Sequence, residues 1–241
     1  MARRILATSG GFVPGPVQQS VRPGAMLIDA LTRTGATRPR VTFILTASGD
    51  DRTYATLLYD AFGAVGCDVR ELRLFPQPSA RPLDALVGTD LVWVGGGSVA
   101  NLLALWQLHG VDDALLAAYQ EGTILAGVSA GSICWHVGGT TDSFGPELRA
   151  VTNGLAIVPY GNGVHYDSEA QRRPLLHQLV AGGTLPTSYA TDDHVGLWYH
   201  DEAPVEVVAD QDVPPDGPAA YRVEAVGGAA RETRLPVGPV R

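Results

Sequence analysis

The sequence predicts an α/β fold in which a mostly parallel sheet carries helices on both faces and the last third adds antiparallel strands. Three observations support this. From residue 5 to about residue 150, apolar runs alternate with segments of helical period. Glycine-rich turns follow three of the runs, at Ser9-Gly10-Gly11, at Gly95-Gly96-Gly97-Ser98 and around Ser129, where strands hand over to helices. Beyond Ala150 the runs shorten and are separated by Pro, Gly and Asp, a pattern of antiparallel β.

In chain order, the apolar residues 5–8 read as a first strand and residues 21–34 as a helix. Residues 41–47 (VTFILTA) form a continuous apolar run, hence a buried strand. Residues 54–65 are amphipathic and end at Gly66, which marks a helix. Residues 69–74 alternate and read as a strand nearer the sheet edge, and 91–94 (LVWV) as another buried strand. Helices are expected at 98–108 and 112–119, and a strand at 123–128. The remainder gives a short strand at 155–158, a helix at 169–180, and strands at 189–191, 196–200, 205–209, 221–226 and 231–235, with a turn-rich loop at 210–218. No linker divides the chain, so residues 1–241 are expected to form a single domain, a core to residue 200 with a C-terminal β extension over 201–241.

Composition narrows the function. A net charge of −8 offers no basic face for nucleic acid. All 17 basic residues are arginine, which excludes a Ser–Lys dyad, a Schiff-base lysine and a phosphate loop of the Walker type. Cys67 and Cys134 show no metal spacing and fit a reduced pair, so no metal and no cofactor is expected. The start (MARRILATSGG) has too short an apolar run for a signal peptide, and no run suits a membrane span, which predicts a cytoplasmic protein.

The segment 123–135, TILAGVSAGSICW, carries the chemistry. An apolar strand leads into Gly127-Val128-Ser129-Ala130-Gly131 and then a helix-compatible stretch, with His136 expected on that helix. Such a bend exposes one hydroxyl at a helix start, beside free backbone donors. With 29 glycines in the chain, chance supplies roughly 0.15 Gly-x-Ser-x-Gly matches, so the strand–turn–helix setting decides. The competing reading is a tight turn in which Ser129 merely caps the helix. Gly96 or Gly97 could add an oxyanion donor, because the turn at 95–98 lacks the G-x-G-x-x-G spacing of a nucleotide loop.

A serine nucleophile needs a base and the base an orienting acid. Of six histidines, His165 stands out in a glycine-bracketed loop (PYGNGVHYD), with His194 second. The acid candidates are Asp142, Asp167, Asp192, Asp193 and Glu202, among which the residues alone do not choose.

Together GVSAGSICW, WVGGGS, GTTDSFG, VHYDSE and TDDHVGLW resemble peptidase family S51, the family of aspartyl dipeptidase and, more distantly, cyanophycinase. The resemblance runs in order from the first strand to about His200. It implies a three-layer sandwich similar to the class I glutamine amidotransferase fold, and a homodimer. It also implies a triad of Ser129, His165 and Asp193 (alternates Asp192 and Asp142), with oxyanion donors at Ala130 and at Gly96 or Gly97. Where the aspartyl dipeptidase has a substrate-reading arginine, this chain has Glu169, with Arg172 and Arg173 close behind, and His194 stands where the family has glycine. Glu169, Arg172 and His194 are thus the expected substrate-binding residues. The reading is a serine exopeptidase acting on dipeptides or short peptides from the amino end, not strictly on amino-terminal aspartate. The alternatives are a cyanophycinase-like hydrolase of β-aspartyl peptides and a non-catalytic binder on the same scaffold.

Overall fold

The computed structural model of the chain describes residues 3–214 and 216–240. The expected loop at 210–218 contains Pro215, and the expected domain bounds include residues 1, 2 and 241, which lie outside the described residues. The first half builds β1 (Arg4–Thr8), a hairpin of β2 (Phe12–Pro14) and β3 (Val21–Pro23), α1 (Ala25–Arg33), β4 (Arg40–Ile44), α2 (Arg52–Ala64), β5 (Asp68–Leu72), α3 (Pro82–Leu86), β6 (Leu91–Val94), α4 (Val99–His109), α5 (Val111–Gln120) and β7 (Ile124–Val128). The second half adds α6 (Ala130–Ile133), β8 (His136–Thr141), β9 (Arg149–Val151), β10 (Val158–Gly163), α7 (Arg172–Ala181), β11 (Ser188–Thr191), β12 (Val195–His200), β13 (Ala203–Ala209), β14 (Ala220–Val226), β15 (Ala229–Leu235) and β16 (Gly238–Pro239).

An eight-stranded sheet has the order β16-β13-β12-β1-β7-β6-β4-β5. The run from β1 to β5 is parallel, and β12, β13 and β16 continue it antiparallel. Alternation along the strands sorts the core. Leu6, Phe43, Trp93, Ala126 and Trp198 pack with α1 and α2 on one face. Ile5, Ala7, Val92, Val94 and Leu125 pack on the other, with α4, α5 and α6. Because β1, β4, β6 and β7 are parallel, their carboxyl ends share one edge, the edge at which open α/β sheets take ligands.

A second, six-stranded sheet has the order β15-β14-β11-β10-β8-β9; β11, β14 and β15 fall on expected strands, whereas β8, β9 and the separateness of the sheet were not anticipated. Its inner residues Val151, Val158, Tyr189 and Ala220 join the core under the eight-stranded sheet, and α7 covers its outer face through Leu176 and Val180, packed with Leu185 and Val223. The layers are therefore helix on sheet on helix beneath the parallel strands, with a second sheet taking part of the inner layer.

Several elements differ from expectation for local reasons. The helix expected at 21–34 starts at Ala25, because Pro23 and Gly24 end an extended segment that pairs with β2. The helix expected after Ser129 lasts one turn, and His136 opens strand β8 instead. Gly138 makes that strand possible: a Cβ there would lie 2.0 Å from the Val151 carbonyl oxygen. The strand expected at 155–158 begins only at Val158, and the helix expected from residue 169 begins at Arg172. β5 lies at the sheet edge, as its alternation suggested. Among the described residues no helix is long and apolar enough to cross a membrane.

His136 is buried with Nδ1–H donating to the Ser132 carbonyl at 2.9 Å and Nε2 accepting from the Tyr199 hydroxyl at 3.1 Å. Burial pushes its pKa down to about 4. The unfolded chain then binds a proton through the window between the ordinary value near 6.5 and about 4, while the folded chain does not. This contribution to stability is whole above that window and falls by about 3 kcal/mol as pH drops through it. Burial raises Asp50, Asp192 and Asp210 and so acts in the opposite sense. Urea denaturation of the parent and of His136→Gln at pH 7 and pH 4.5 separates the two: the parent is expected to lose more stability on acidification than the variant.

Candidate active site

The bend at Ser129 is strained. Ser129 has φ 56° and ψ −112°, a conformation that side chains with a Cβ avoid. Packing enforces it, since a Cβ on Gly131 would lie 2.2 Å from the Val94 carbonyl oxygen, so only glycine lets α6 sit against β6. The Ser129 amide donates to the Thr8 carbonyl at 3.1 Å, which pins the bend to the end of β1. Ala130 opens α6, so its amide has no partner within the helix.

The turn after β6 faces this bend. A Cβ on Gly96 would come 3.3 Å from the Ser129 Cβ and 3.9 Å from its Oγ. Gly97 packs elsewhere, against Ala47 and Ser48, and Ser98 caps α4 by accepting from the Asn101 amide at 3.2 Å. Of the two glycines, Gly96 is the one beside Ser129.

His165 follows β10 and has a left-handed backbone, φ 51°. Its amide donates to the Ser9 hydroxyl at 3.0 Å, and that hydroxyl donates to the Thr191 carbonyl at 3.0 Å. Nδ1–H donates to Asp193 Oδ1 at 2.6 Å, so in the neutral ring the free lone pair is on Nε2. The Asp193 amide donates to Asp167 Oδ1 at 2.8 Å, which fixes the loop that carries the acid. Burial pushes the Asp193 carboxyl up, but hydrogen bonds from His165 and Ser168 outweigh it and hold the group below the usual carboxylate value. The ring is not hydrogen-bonded to the Ser129 hydroxyl in this structure.

The other candidates separate. Asp192 turns the opposite way, accepting from the Ala219 amide at 2.9 Å and the Tyr221 hydroxyl at 3.1 Å, and burial raises it. Asp142 is exposed on the loop after β8 and lines, with Glu169, Leu148 and Gln171, an open hollow of about 530 Å³. Ser143 ties that loop to the start of α4, accepting from the Ala100 amide at 3.4 Å. Glu169 lies one turn past His165, its amide donating to the His165 carbonyl at 3.1 Å. It takes a two-pronged bond from buried Arg172, at 2.8 and 3.0 Å, and Arg172 also donates to the Thr140 carbonyl at 2.7 Å. Arg172 is thus committed within the protein. Arg173 points away, toward Glu232. His194 is exposed, its amide donating to the Ser9 carbonyl at 3.0 Å and its Nδ1 3.8 Å from buried Asp210.

Thr8 and Ser9 are the residues that sequence reasoning missed. The glycine turn after them marked the place, but nothing in it marked their contacts with three separate loops.

Comparison with known proteins fits this geometry. The profile of peptidase family S51 matches residues 5–207. The chain belongs to peptidase family S51. The chain is 35% identical over 237 residues, 98% of each chain, to a protein of Bacillus subtilis (strain 168) named uncharacterized peptidase YgaJ. It is 32% identical over 131 residues, 54% of this chain and 48% of the other, to peptidase E of Streptomyces coelicolor. The solved structure of a peptidase from an acI-B1 Actinobacterium shares the fold, with a TM-score of 0.70 at 14% identity over 100% of this chain and 97% of that one. This S51 peptidase keeps Ser129, His165 and Asp193 inside the matched span, and β14 and β15 outside it.

The strain at Ser129 has a thermodynamic consequence. Ser129→Gly relieves the forbidden φ and is expected to stabilise the fold by about 1 kcal/mol, net of glycine's extra freedom when unfolded. Ser129→Ala keeps the Cβ and is expected to leave stability near the parent's. Thermal unfolding of the three proteins checks this ordering.

Proposed function

We propose that this S51 peptidase is a serine exopeptidase that releases residues from the amino end of dipeptides and short peptides. The observation that carries the reading is the convergence on one strand end of a strained, half-buried serine and a histidine already bonded to a carboxylate. In this mechanism Ser129 Oγ attacks the scissile carbonyl while His165 Nε2 takes its proton. Asp193 holds the ring in that tautomer and stabilises the imidazolium. The amides of Ala130 and Gly96 receive the oxyanion, where one lost donor typically costs about 10²–10³ in turnover. The imidazolium then protonates the leaving amine, and a water deprotonated by the same ring hydrolyses the acyl-enzyme. Bonds between hydroxyl and imidazole commonly tighten only when substrate is present.

The hollow lined by Asp142 and by Glu169, one turn past His165, favours a free α-ammonium group. Asp142 and Glu169 supply two carboxylates, and Arg172 offsets only one of them. The same pairing leaves Arg172 unable to receive an aspartate side chain, which argues against strict aspartyl specificity. Within this reading the enzyme works in the cytoplasm, which its two unbridged cysteines support, and as a homodimer, which the family resemblance implies.

A panel of Ala-X, Asp-X, β-Asp-Arg and N-acetylated dipeptides tests the proposal. Free Ala-X is expected to be cleaved at least as well as Asp-X, and blocked peptides not at all. Ser129→Ala and His165→Ala should each cost on the order of 10⁶ in kcat, and Asp193→Asn roughly 10⁴. Asp192→Asn should cost about tenfold or less. Peptide hydrolysis by Ser129→Ala at the parent rate would refute the mechanism.

A further inference from the structure

We propose that the β14–β15 hairpin carries positioning residues for the His165–Asp193 pair, and that Tyr221 and Glu232 are the two that act. The inference rests on the proposed function and concerns residues beyond position 207, where the family match ends.

Both members of the pair sit half-buried on connections that need holding. Asp193 lies on the crossover between β11 of the six-stranded sheet and β12 of the eight-stranded one, and His165 on the segment between β10 and α7. No regular element contains either residue. Each, however, has a chain neighbour that is clamped from the hairpin side. Asp192 exchanges hydrogen bonds with Ala219 in both directions, amide to carbonyl at 3.0 Å and amide to carboxylate at 2.9 Å, and receives the Tyr221 hydroxyl at 3.1 Å. Tyr166 donates its hydroxyl to Glu232 Oε2 at 2.8 Å.

The two clamps are one network. The Tyr166 and Tyr221 rings lie against each other with centroids 5.3 Å apart, and the Arg173 guanidinium caps both, 4.4 and 4.5 Å from their centroids, and pairs with Glu232. His177 Nε2 meets the same carboxylate at 2.8 Å. Glu232 thereby gathers one group from the His165 segment and two from α7, and Tyr221 connects that cluster to Asp192. The Tyr166 amide, donating to the Thr191 carbonyl at 3.2 Å, closes the ring between the two connections. A hydrogen bond of 2.6 Å between His165 and Asp193 tolerates little slip. Displacement of a reacting group by about 1 Å can cost 10²-fold in rate even when the change lies far from the chemistry.

The test compares Tyr221→Phe and Glu232→Ala in the full chain with Arg231→Gln, a control on the same hairpin whose partner is Glu224. A short peptide cleaved by the parent is the substrate, and a fluorophosphonate probe reports the reactivity of Ser129. Tyr221→Phe and Glu232→Ala should lower kcat on the order of tenfold or more, leave KM within about twofold, and slow labelling in parallel. Arg231→Gln should match the parent. Parent kcat in folded Tyr221→Phe and Glu232→Ala, or a loss confined to KM, would overturn the inference. If Glu232→Ala fails to fold, Tyr221→Phe decides, since it keeps the ring against Arg173. Activity that survives Ser129→Ala would instead overturn the proposed function itself.

Discussion

The end of β1 is the constraint on which the site depends. Thr8 accepts the Ser129 amide, the Ser9 hydroxyl accepts the His165 amide, and the Ser9 carbonyl accepts the His194 amide. Three loops from distant parts of the chain are thus indexed to two consecutive residues at the end of one central strand, Thr8 within it and Ser9 just beyond. β1 can serve in this way because it lies between β7, which delivers the serine, and β12, which follows the acid. A central strand is rigid, so the groups placed around it inherit that rigidity.

Neighbouring carboxylates are driven apart by the same geometry. Asp192 and Asp193 are adjacent in the chain but serve different layers. Burial raises Asp192, whose donors are Ala219 and Tyr221 of the hairpin side. Burial also opposes Asp193, yet its bonds to His165 and Ser168 prevail and lower it. One acid supports structure and the other is held as an anion beside an imidazole. Below the serine, Ser132 donates to Asn162 at 2.9 Å and Asn162 donates to the Tyr189 carbonyl at 3.1 Å, so α6 is tied to the second sheet as well as to β6. The strain stored at Ser129 is sustained by packing on both sides.

Much of the first half was legible because its strands and helices bury one face each and so show their period. The parallel strands, α2, α4, α5 and the bend at Ser129 follow from apolar runs and glycine punctuation. Half of the second sheet, β11, β14 and β15, showed in the sequence, and the rest was hidden for a physical reason. Its strand His136–Thr141 reads HVGGTT, whose glycines are required by close backbone approach rather than by a turn. His165 was legible from its loop, and its pairing with Asp193 came from the family resemblance, since nothing local distinguishes Asp193 from Asp192. The link between Glu169 and Arg172 was within reach as a pair three residues apart, although its effect of committing the arginine needed the burial of Arg172. Ser9 and Glu232 carried no signal, because their importance lies in contacts across more than fifty residues of chain.

The most direct test of the central claim is a crystal structure of the protein after reaction with a peptidyl phosphonate. The account predicts phosphorus bonded to Ser129 Oγ. It also predicts the phosphoryl oxygen about 3 Å from the Ala130 and Gly96 amides, and His165 Nε2 within hydrogen-bonding reach of the adduct, still paired with Asp193. A folded protein that leaves Ser129 unmodified, or an adduct whose oxygen faces away from those amides with His165 out of reach, would contradict it.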